Sequence, residues 1–208
     1  MSGSVVPLPI GPARPLILGS ASPRRRDILT GLGIPITVMP ADVDEALAPA
    51  EEPLTYVERI VAAKLAAVAA RAGRTPGAGL LVADTIVVLD GQVLGKPVDV
   101  ADAQRLLGRL AGREHRVHTR YALAAPDGET LAARTVTSDV RLRAAAPEAL
   151  AGYARTGEGL DKAGAYAIQG IGAFLVESIH GSYSNVVGLP ACEVVQDLLA
   201  TGLLERFP

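Results

Sequence analysis

Three consecutive arginines stand at the start of a predicted helix in the segment LGSASPRRR, residues 18–26. Ser22 is a favoured N-cap residue and Pro23 is favoured at the first helical position, so residues 24–26 belong to the first turn. Cations there oppose the positive end of the helix dipole, whereas a bound anion would meet free backbone N–H groups and guanidinium groups. The segment therefore favours a phosphate or pyrophosphate site, and the alternative is three solvated arginines.

A single carboxylate, Asp84, interrupts the apolar run LLVADTIVVL at residues 80–89. A carboxylate buried in a central strand is unfavourable unless it is paired or binds a ligand. Asp84 is therefore a candidate metal ligand or general base, and the alternative is a structural aspartate that hydrogen-bonds a neighbouring loop. The Asp90-Gly91 pair predicts a type I′ hairpin turn, which brings Lys96 back to the same edge of the sheet.

A glycine-dense stretch at residues 159–172 combines backbone freedom with the polar side chains of Asp161, Lys162, Tyr166 and Gln169. Glycine-rich backbone can approach a ligand closely, and the Gln169 amide can both donate and accept hydrogen bonds at the edge of a nucleobase. The alternative is a tight-turn connector that leads into the next strand.

The histidines and the cysteine are expected to have packing roles. His115 and His118 lie three residues apart in a predicted strand, which places them on opposite faces and argues against a metal-binding pair. Cys192 is the only cysteine, which excludes an intramolecular disulfide and a cysteine-cluster zinc site. We expect Cys192 to lie in the core.

Alternating strands and helices must position these residues. Strands are predicted at residues 16–18, 34–39, 80–89, 92–94, 116–125, 130–142 and 173–179. Helices are predicted from residue 22 to residue 31 or 33 and at residues 54–71, 101–110, 147–155 and 190–205, with an acidic loop at residues 40–53. Because two hairpins interrupt the βαβ order, we expect a mixed, twisted α/β sheet with helices on its faces and a cleft between two lobes.

Composition excludes several classes of function. The chain has 208 residues, of which 49% are hydrophobic and 20% charged, and this is typical of a globular protein. Its 20 basic and 22 acidic residues argue against binding to a nucleic-acid backbone, and no apolar run is long enough to span a membrane. Residues 1–15 lack the features of a signal peptide and are expected to form a flexible tail. We therefore predict a cytoplasmic protein with a single domain at residues 16–208.

Five blocks of the chain are similar to the motifs of one known family. They are SASPRR (residues 20–25), ADTIVVLDGQVLGKP (83–97), GREHRVHT (112–119), DKAGAYAIQGIGA (161–173) and GSYSNVVGLP (181–190). In this order they resemble the Maf family of nucleoside triphosphate pyrophosphatases, and the resemblance extends from near Leu16 to the C-terminus. Gly159, where a proline is common, and the third arginine of the cluster are the departures from the pattern.

The resemblance implies hydrolysis of a nucleoside triphosphate between its α and β phosphates, with Mg²⁺, or alternatively Mn²⁺, as the divalent metal. The products are the monophosphate and pyrophosphate. Glu45 and Asp84 are the implied metal ligands, and Asp84 is also the implied general base. The implied substrate-binding residues are Ser20, Arg24, Arg25, Lys64, Thr85, Lys96, Lys162 and Gln169.

The block AYAIQG resembles the subgroup that hydrolyses dTTP and UTP, with Arg24, Thr85 and Gln169 as the specificity positions. An amide can accept a hydrogen bond from N3–H of uracil or thymine and donate one to a neighbouring carbonyl oxygen. The glutamate of the other subgroup can only accept, which suits the adjacent donors of a guanine.

Two alternative functions stay open. One is a pyrophosphatase for 7-methyl-GTP, against which Gln169 argues. The other is a non-catalytic nucleotide-binding regulator of septum formation, against which the intact Glu45, Asp84 and Lys96 argue. The family often forms homodimers, although no interface can be recognised in the sequence.

Overall fold

The computed structural model describes residues 9–73 and 77–208, which form one mixed sheet with helices packed against it. The strands are β1 (Leu16–Leu18), β2 (Ile36–Val38), β3 (Gly79–Leu89), β4 (Gln92–Leu94), β5 (Glu114–Ala124), β6 (Thr130–Leu142) and β7 (Val176–His180). The helices are α1 (Pro23–Gly31), α2 (Pro53–Ala72), α3 (Val100–Leu110), α4 (Pro147–Arg155), α5 (Tyr183–Val187) and α6 (Ala191–Ala200). Two 3₁₀ segments, Ala163–Ala165 and Gly170–Leu175, lie between α4 and β7.

The seven-stranded sheet has the order β2-β1-β3-β5-β6-β7, and β4 pairs with the end of β3. Strand β1 is parallel to both β2 and β3, whereas the β3–β5, β5–β6 and β6–β7 pairs are antiparallel. The predicted mixed α/β sheet is therefore confirmed. Strand β3 lies at its centre, and its register places Thr85 opposite Thr119 of β5.

The apolar run of β3 is buried because both faces of the strand are covered. On one face Val68 of α2 packs in a cluster with Leu80 and Val82, and on the other Leu198 of α6 packs with Leu81. Burial of one such side chain contributes about 1.5–3 kcal/mol. Because side chains alternate along a strand, residue 84 faces the same side as residues 80 and 82, toward α2.

Two local signals in the sequence have the predicted outcome. Helix α1 begins at Pro23 with Ser22 in the N-cap position. The turn between β3 and β4 has φ of 52° at Asp90 and 75° at Gly91, and positive φ at both residues is what a type I′ turn requires. This hairpin returns the chain toward the edge of β3, where Lys96 follows β4.

The structure corrects the predicted bounds of several elements. The strand predicted at residues 34–39 covers only Ile36–Val38, and the one predicted at 173–179 begins at Val176, after a 3₁₀ segment. The helix predicted at residues 190–205 ends at Ala200, where the Thr201 hydroxyl donates to the Asp197 carbonyl and satisfies part of the last turn. The short helix α5 was not predicted.

The expectation that Cys192 lies in the core is wrong, because its side chain is exposed. The buried residues of α6 are Val194, Asp197 and Leu198, which share one face of the helix. Cys192 lies on a different face.

The two histidines pack as expected. His115 Nε2 lies 2.8 Å from the Tyr166 hydroxyl, and His118 Nδ1 lies 2.8 Å from Thr137 Oγ1. Each ring therefore has a different neutral partner.

Residues 1–8 of the predicted tail lie outside the described part of the chain. Within the described part of that tail, Ile10 donates a backbone hydrogen bond to the Leu203 carbonyl at 2.8 Å. In the ranges 9–73 and 77–208, no helix is sufficiently long and apolar to cross a membrane.

Candidate active site

All of the site residues predicted from the sequence line one cleft of about 530 Å³ beside β3. The cleft is bounded by the start of α1, the loop between β2 and α2, one face of α2, and the segments that follow β4 and α4. The predicted residues in its lining are Ser20, Arg24, Arg25, Glu45, Lys64, Asp84, Thr85, Lys96, Lys162 and Gln169. Their individual roles follow from their contacts.

Lys64 joins the two predicted metal-binding carboxylates. Its Nζ atom lies 2.6 Å from Glu45 Oε1 and 2.7 Å from Asp84 Oδ1. The Lys64 and Asp84 side chains are only 9% and 15% exposed, whereas the Glu45 side chain is 44% exposed. Asp84 is therefore paired, as its place in an apolar strand requires, and the pair lies at the border between the core and the cleft.

The loop between β2 and α2 is held against α2 so that Glu45 reaches the cleft. The Tyr56 hydroxyl donates to the Glu45 carbonyl at 2.9 Å, and Arg59 Nη2 donates to the Ala46 carbonyl at 3.0 Å. The Arg59 guanidinium also lies over the Tyr56 ring, 5.6 Å from its centre. These contacts tie an otherwise irregular segment to a rigid helix.

Electrostatics keep the Glu45 carboxylate charged. Partial burial alone would raise the pKa of Glu45, but the hydrogen bond and charge of Lys64, together with the charge of Lys96, hold that pKa below its ordinary value. Burial, followed by the charges of Asp84 and Glu45, raises the pKa of Tyr56 to about 12. The Tyr56 hydroxyl therefore remains a hydrogen-bond donor at neutral pH.

The start of α1 contributes an electropositive wall. Ser22 makes no side-chain capping hydrogen bond and the first turn contains no acidic residue, so no side chain of this turn neutralises its N–H groups. Arg24 Nη1 lies 3.1 Å from Asp161 Oδ2, and Lys162 Nζ lies 2.5 Å from Asp161 Oδ1. Lys96 lines the same cleft and has no ion pair within the described residues. This wall can receive an anion.

Arg25, the second arginine of the cluster, points into the protein and is 7% exposed. Its Nε donates to the Gly188 carbonyl, its Nη1 to Ser20 Oγ and the Ala83 carbonyl, and its Nη2 to Thr85 Oγ1, all at 2.8–3.0 Å. One guanidinium thus connects three of the five sequence blocks at the floor of the cleft. Its role as a direct substrate ligand stays a prediction.

The two other predicted specificity residues have different surroundings. Thr85 Oγ1 accepts from Arg25 and lies 2.9 Å from Thr119 Oγ1, so its hydroxyl is engaged by the protein. Gln169 is exposed at the wall of the cleft, and its amide has no hydrogen-bond partner in the part of the chain that the structure describes. The amide of Gln169 is therefore available to a ligand.

Glu45 and Asp84 fit a divalent metal of the Mg²⁺ type. An oxygen of each carboxylate already lies within hydrogen-bond distance of one cationic atom, Lys64 Nζ. Mg²⁺ prefers oxygen ligands and is commonly held by one or two carboxylates together with waters and phosphate oxygens. Across residues 9–73 and 77–208, no group of three or more His, Cys, Asp and Glu side chains could hold a metal ion. A metal bound here would therefore take further ligands from water or substrate.

Sequence reasoning missed the residues that hold the site loops in place. Tyr56 and Arg59 are three apart and therefore share a face of α2 directly after the acidic loop, which is a signal that the sequence contains. Tyr153 and Glu158 hold the segment that carries Gln169. Glu158 stands immediately before the glycine-dense stretch, but its position in the chain does not indicate which backbone N–H groups donate hydrogen bonds to it.

Comparisons with known proteins identify the family of this chain. A family model described as "Maf-like protein" matches residues 15–201, and the chain belongs to this family. A protein of Myxococcus xanthus named "dTTP/UTP pyrophosphatase" is 50% identical over 188 residues, which cover 90% of this chain and 93% of the relative. Proteins with the same name from Symbiobacterium thermophilum and Geobacter sulfurreducens are 49% and 45% identical, covering 90% and 91% of this chain and 94% and 97% of the relatives.

Proposed function

We propose that this chain hydrolyses dTTP and UTP between the α and β phosphates, releasing the nucleoside monophosphate and pyrophosphate. The observation that carries the proposal is the Lys64-bridged pair of Glu45 and Asp84, which shares one cleft with an uncapped, arginine-bearing helix start. The relatives at 45–50% identity, which carry the name dTTP/UTP pyrophosphatase, support the substrate class.

The triphosphate is held by the electropositive wall. Lys96 is exposed and free of ion pairs within the described residues, so it can bind phosphate without first breaking a contact. Arg24 and Lys162 can exchange part of their contact with Asp161 for phosphate oxygens, because charge-assisted hydrogen bonds to phosphate are comparable in strength to those with a carboxylate. The first-turn N–H groups of α1 complete the anion site.

Asp84 is the general base. Its Oδ1 accepts from Lys64, whereas Oδ2 makes no hydrogen bond within residues 9–73 and 77–208 and can accept a proton. Asp84 takes this proton from the attacking water while the water oxygen bonds to phosphorus and the bond to the bridging oxygen breaks. Lys64 holds the Asp84 carboxylate in place through its hydrogen bond to Oδ1. Mg²⁺, which Glu45 and Asp84 would hold, supplies neutralisation of the phosphate charge when it is bound.

Base selection rests on Gln169, with Arg24 and Thr85 as the other specificity positions. The unpartnered amide of Gln169 can accept from N3–H and donate to a carbonyl of thymine or uracil. Arg25 has an indirect role: it donates hydrogen bonds to the hydroxyls of Ser20 and Thr85, which holds them in place, and it adds positive charge at the floor of the cleft.

The proposal extends to the organisation of the molecule. We propose a single domain at residues 16–208 in which the cleft separates two lobes. In support, the buried apolar side chains form separate clusters, one around Leu107 and Val140 and another around Leu81 and Leu198. We expect the reaction in the cytoplasm, where nucleoside triphosphates are made and used. Homodimer formation stays a prediction that size-exclusion chromatography with light scattering tests.

The test is a substrate panel with the purified full chain. Pyrophosphate release with Mg²⁺ is measured for dTTP, UTP, CTP, GTP and 7-methyl-GTP at equal concentrations, and again with Mn²⁺ and with chelator. We expect dTTP and UTP to give the highest kcat/KM and chelator to abolish turnover. Faster hydrolysis of 7-methyl-GTP would replace the proposed substrate. Binding of dTTP without pyrophosphate release would replace the proposed enzyme by a nucleotide-binding regulator.

A further inference from the structure

The backbone of the segment that carries Gln169 is supported by two side chains that have no role in binding the triphosphate. This segment, residues 167–172, crosses the wall of the cleft between two buried or half-buried side chains of the preceding region, Tyr153 and Glu158. Neither side chain takes part in the mechanism above. Their contacts with the segment are all to its backbone.

Glu158 accepts hydrogen bonds on both carboxylate oxygens. Ile171 N donates to Oε1 at 2.9 Å, and Gly172 N donates to Oε2 at 2.7 Å. The Tyr153 hydroxyl also donates to Oε2, at 2.9 Å. Burial by itself would raise the pKa of Glu158, but these donors and the charge of Lys162 keep the pKa below its ordinary value, so the carboxylate is ionised.

Tyr153 holds the other end of the segment. Its hydroxyl oxygen accepts from Ala167 N at 3.0 Å while its proton goes to Glu158. Gln169 therefore lies between two backbone anchors, one at residue 167 and one at residues 171–172. Because the Gln169 amide has no partner of its own among the described residues, the direction of its side chain depends on this anchored backbone.

The close approach of the segment to Glu158 requires glycine. Gly170 has φ of 69°, and a β-carbon at this position would collide with Glu158 Oε1. A β-carbon at Gly172 would collide with the Ala167 carbonyl. The glycine-dense stretch is thus explained by its fit around Tyr153 and Glu158, as well as by access to a ligand.

We propose that Glu158 is a positioning residue for base selection: its carboxylate, together with the Tyr153 hydroxyl, fixes the backbone on both sides of Gln169 and so sets how that amide meets the nucleobase. This inference rests on the proposed nucleotide pyrophosphatase function. It assigns base selectivity to a residue that does not touch the base. Glu158 contacts the triphosphate wall through its backbone carbonyl, which accepts from Lys162 Nζ at 2.5 Å and is retained when the side chain is substituted.

The experiment uses the substitution Glu158→Gln in the full chain. The amide retains one acceptor oxygen and replaces the other by a donor, so either Ile171 N or Gly172 N loses its acceptor. Loss of one such contact corresponds to about a tenfold effect. We expect KM for dTTP and UTP to rise about tenfold with a smaller change in kcat, and the preference for dTTP over CTP and GTP to fall by a similar factor.

A probe without a base separates positioning from general damage to the cleft. Inorganic tripolyphosphate is used as a competitive inhibitor, and in Glu158→Gln its Ki should change much less than KM, because the Glu158 carbonyl that accepts from Lys162 is retained. The matched control is Glu177→Gln, a surface glutamate of β7 paired with Arg141 at 3.3 Å, which should leave KM, Ki and the substrate ranking unchanged. The second variant is Tyr153→Phe, which removes only the hydroxyl that binds Ala167 N and should change the ranking in the same direction.

Two results would overturn the inference. One is an unchanged KM and substrate ranking in Glu158→Gln. The other is a rise in the tripolyphosphate Ki that parallels the rise in KM, which would mean that the whole cleft is disturbed. If Glu158→Gln does not fold, Tyr153→Phe decides by the same two criteria. If the wild-type chain prefers a different nucleotide, the proposed substrate is wrong. The inference then requires that Glu158→Gln lower the ratio of kcat/KM for that nucleotide to kcat/KM for the others, and an unchanged ratio would overturn it.

Discussion

Substitution of Asp84 by asparagine separates the chemical role of this residue from its structural role. The amide has nearly the shape of the carboxylate, and its oxygen can still accept the hydrogen bond from Lys64, which donates to Asp84 Oδ1 at 2.7 Å in the wild type. Lys64 also keeps its ion pair with Glu45 at 2.6 Å, so it does not become an unpaired buried cation. What is lost is the negative charge and the ability to take a proton.

The two effects have different expected sizes. Loss of a general base lowers the rate by about 10²–10⁴, which corresponds to about 2.7–5.5 kcal/mol of activation free energy. The free energy of unfolding should change by less than about 2 kcal/mol, because a hydrogen bond between two charged groups becomes one between the Lys64 cation and a neutral amide. Removal of a largely buried charge offsets part of even that loss.

The assay compares initial rates of pyrophosphate release from dTTP with the stability of each variant in urea. The matched control is Asp139→Asn on β6, which removes a carboxylate from a surface ion pair with Arg116 and should leave the rate unchanged. Asp84→Asn should be folded and nearly inactive. A folded Asp84→Asn variant that retains more than about a third of wild-type kcat would contradict the general-base role, since it is far above the rate expected without the base.

Further predictions concern the phosphate wall, the base and pH. Lys96→Ala should raise KM for dTTP about tenfold without loss of stability, because Lys96 is exposed and has no ion pair among the described residues; unchanged steady-state kinetics would remove Lys96 from the triphosphate site. Gln169→Glu should lower kcat/KM for dTTP and UTP by a factor that corresponds to about 1–3 kcal/mol of transition-state binding, and should affect kcat/KM for GTP and 7-methyl-GTP less. An unchanged ranking of these four substrates would show that Gln169 does not read the base. Burial lowers the pKa of His115 to about 4, so between about pH 6.5 and pH 4 the unfolded chain binds a proton that the folded chain does not. The free energy of unfolding should therefore be highest above about pH 6.5 and fall by up to about 3 kcal/mol as the pH decreases to 4, and His115→Gln should reduce this slope in urea titrations; parallel profiles would contradict the assignment.

Elements with strong local signals follow from the sequence. The start of α1 at Ser22-Pro23 and the type I′ turn at Asp90-Gly91 depend on residues next to each other in the chain, so local conformational preference decides them. The bounds of α6 and the strand before it were less predictable. The end of α6 depends on Thr201, whose hydroxyl reaches back to the carbonyls of the last turn, and hydrophobic periodicity carries no information about this.

Among the site residues, the sequence alone determined which chemical groups are present, and the family motifs predicted that they belong to one site. The tertiary structure decided what each group contacts. Arg24 and Arg25 are identical neighbours, yet Arg24 pairs with Asp161 at the cleft whereas Arg25 is buried beneath it. A helix turns by about 100° per residue, so adjacent side chains face different surroundings, and only the packing of α1 against β3 and the segment around Gly188 decides which of them is buried.

The pairing of charges was also decided by the tertiary structure. Lys64 lies on a helix, Asp84 on a strand and Glu45 on a loop, and no spacing between them in the chain predicts that one ammonium group bridges both carboxylates. The same holds for Glu158, whose partners are backbone N–H groups that become available only once the segment around Gln169 has folded over it. Local sequence sets the residue type and the face of an element, whereas contacts between distant elements depend on how those faces pack, and this is a property of the whole fold.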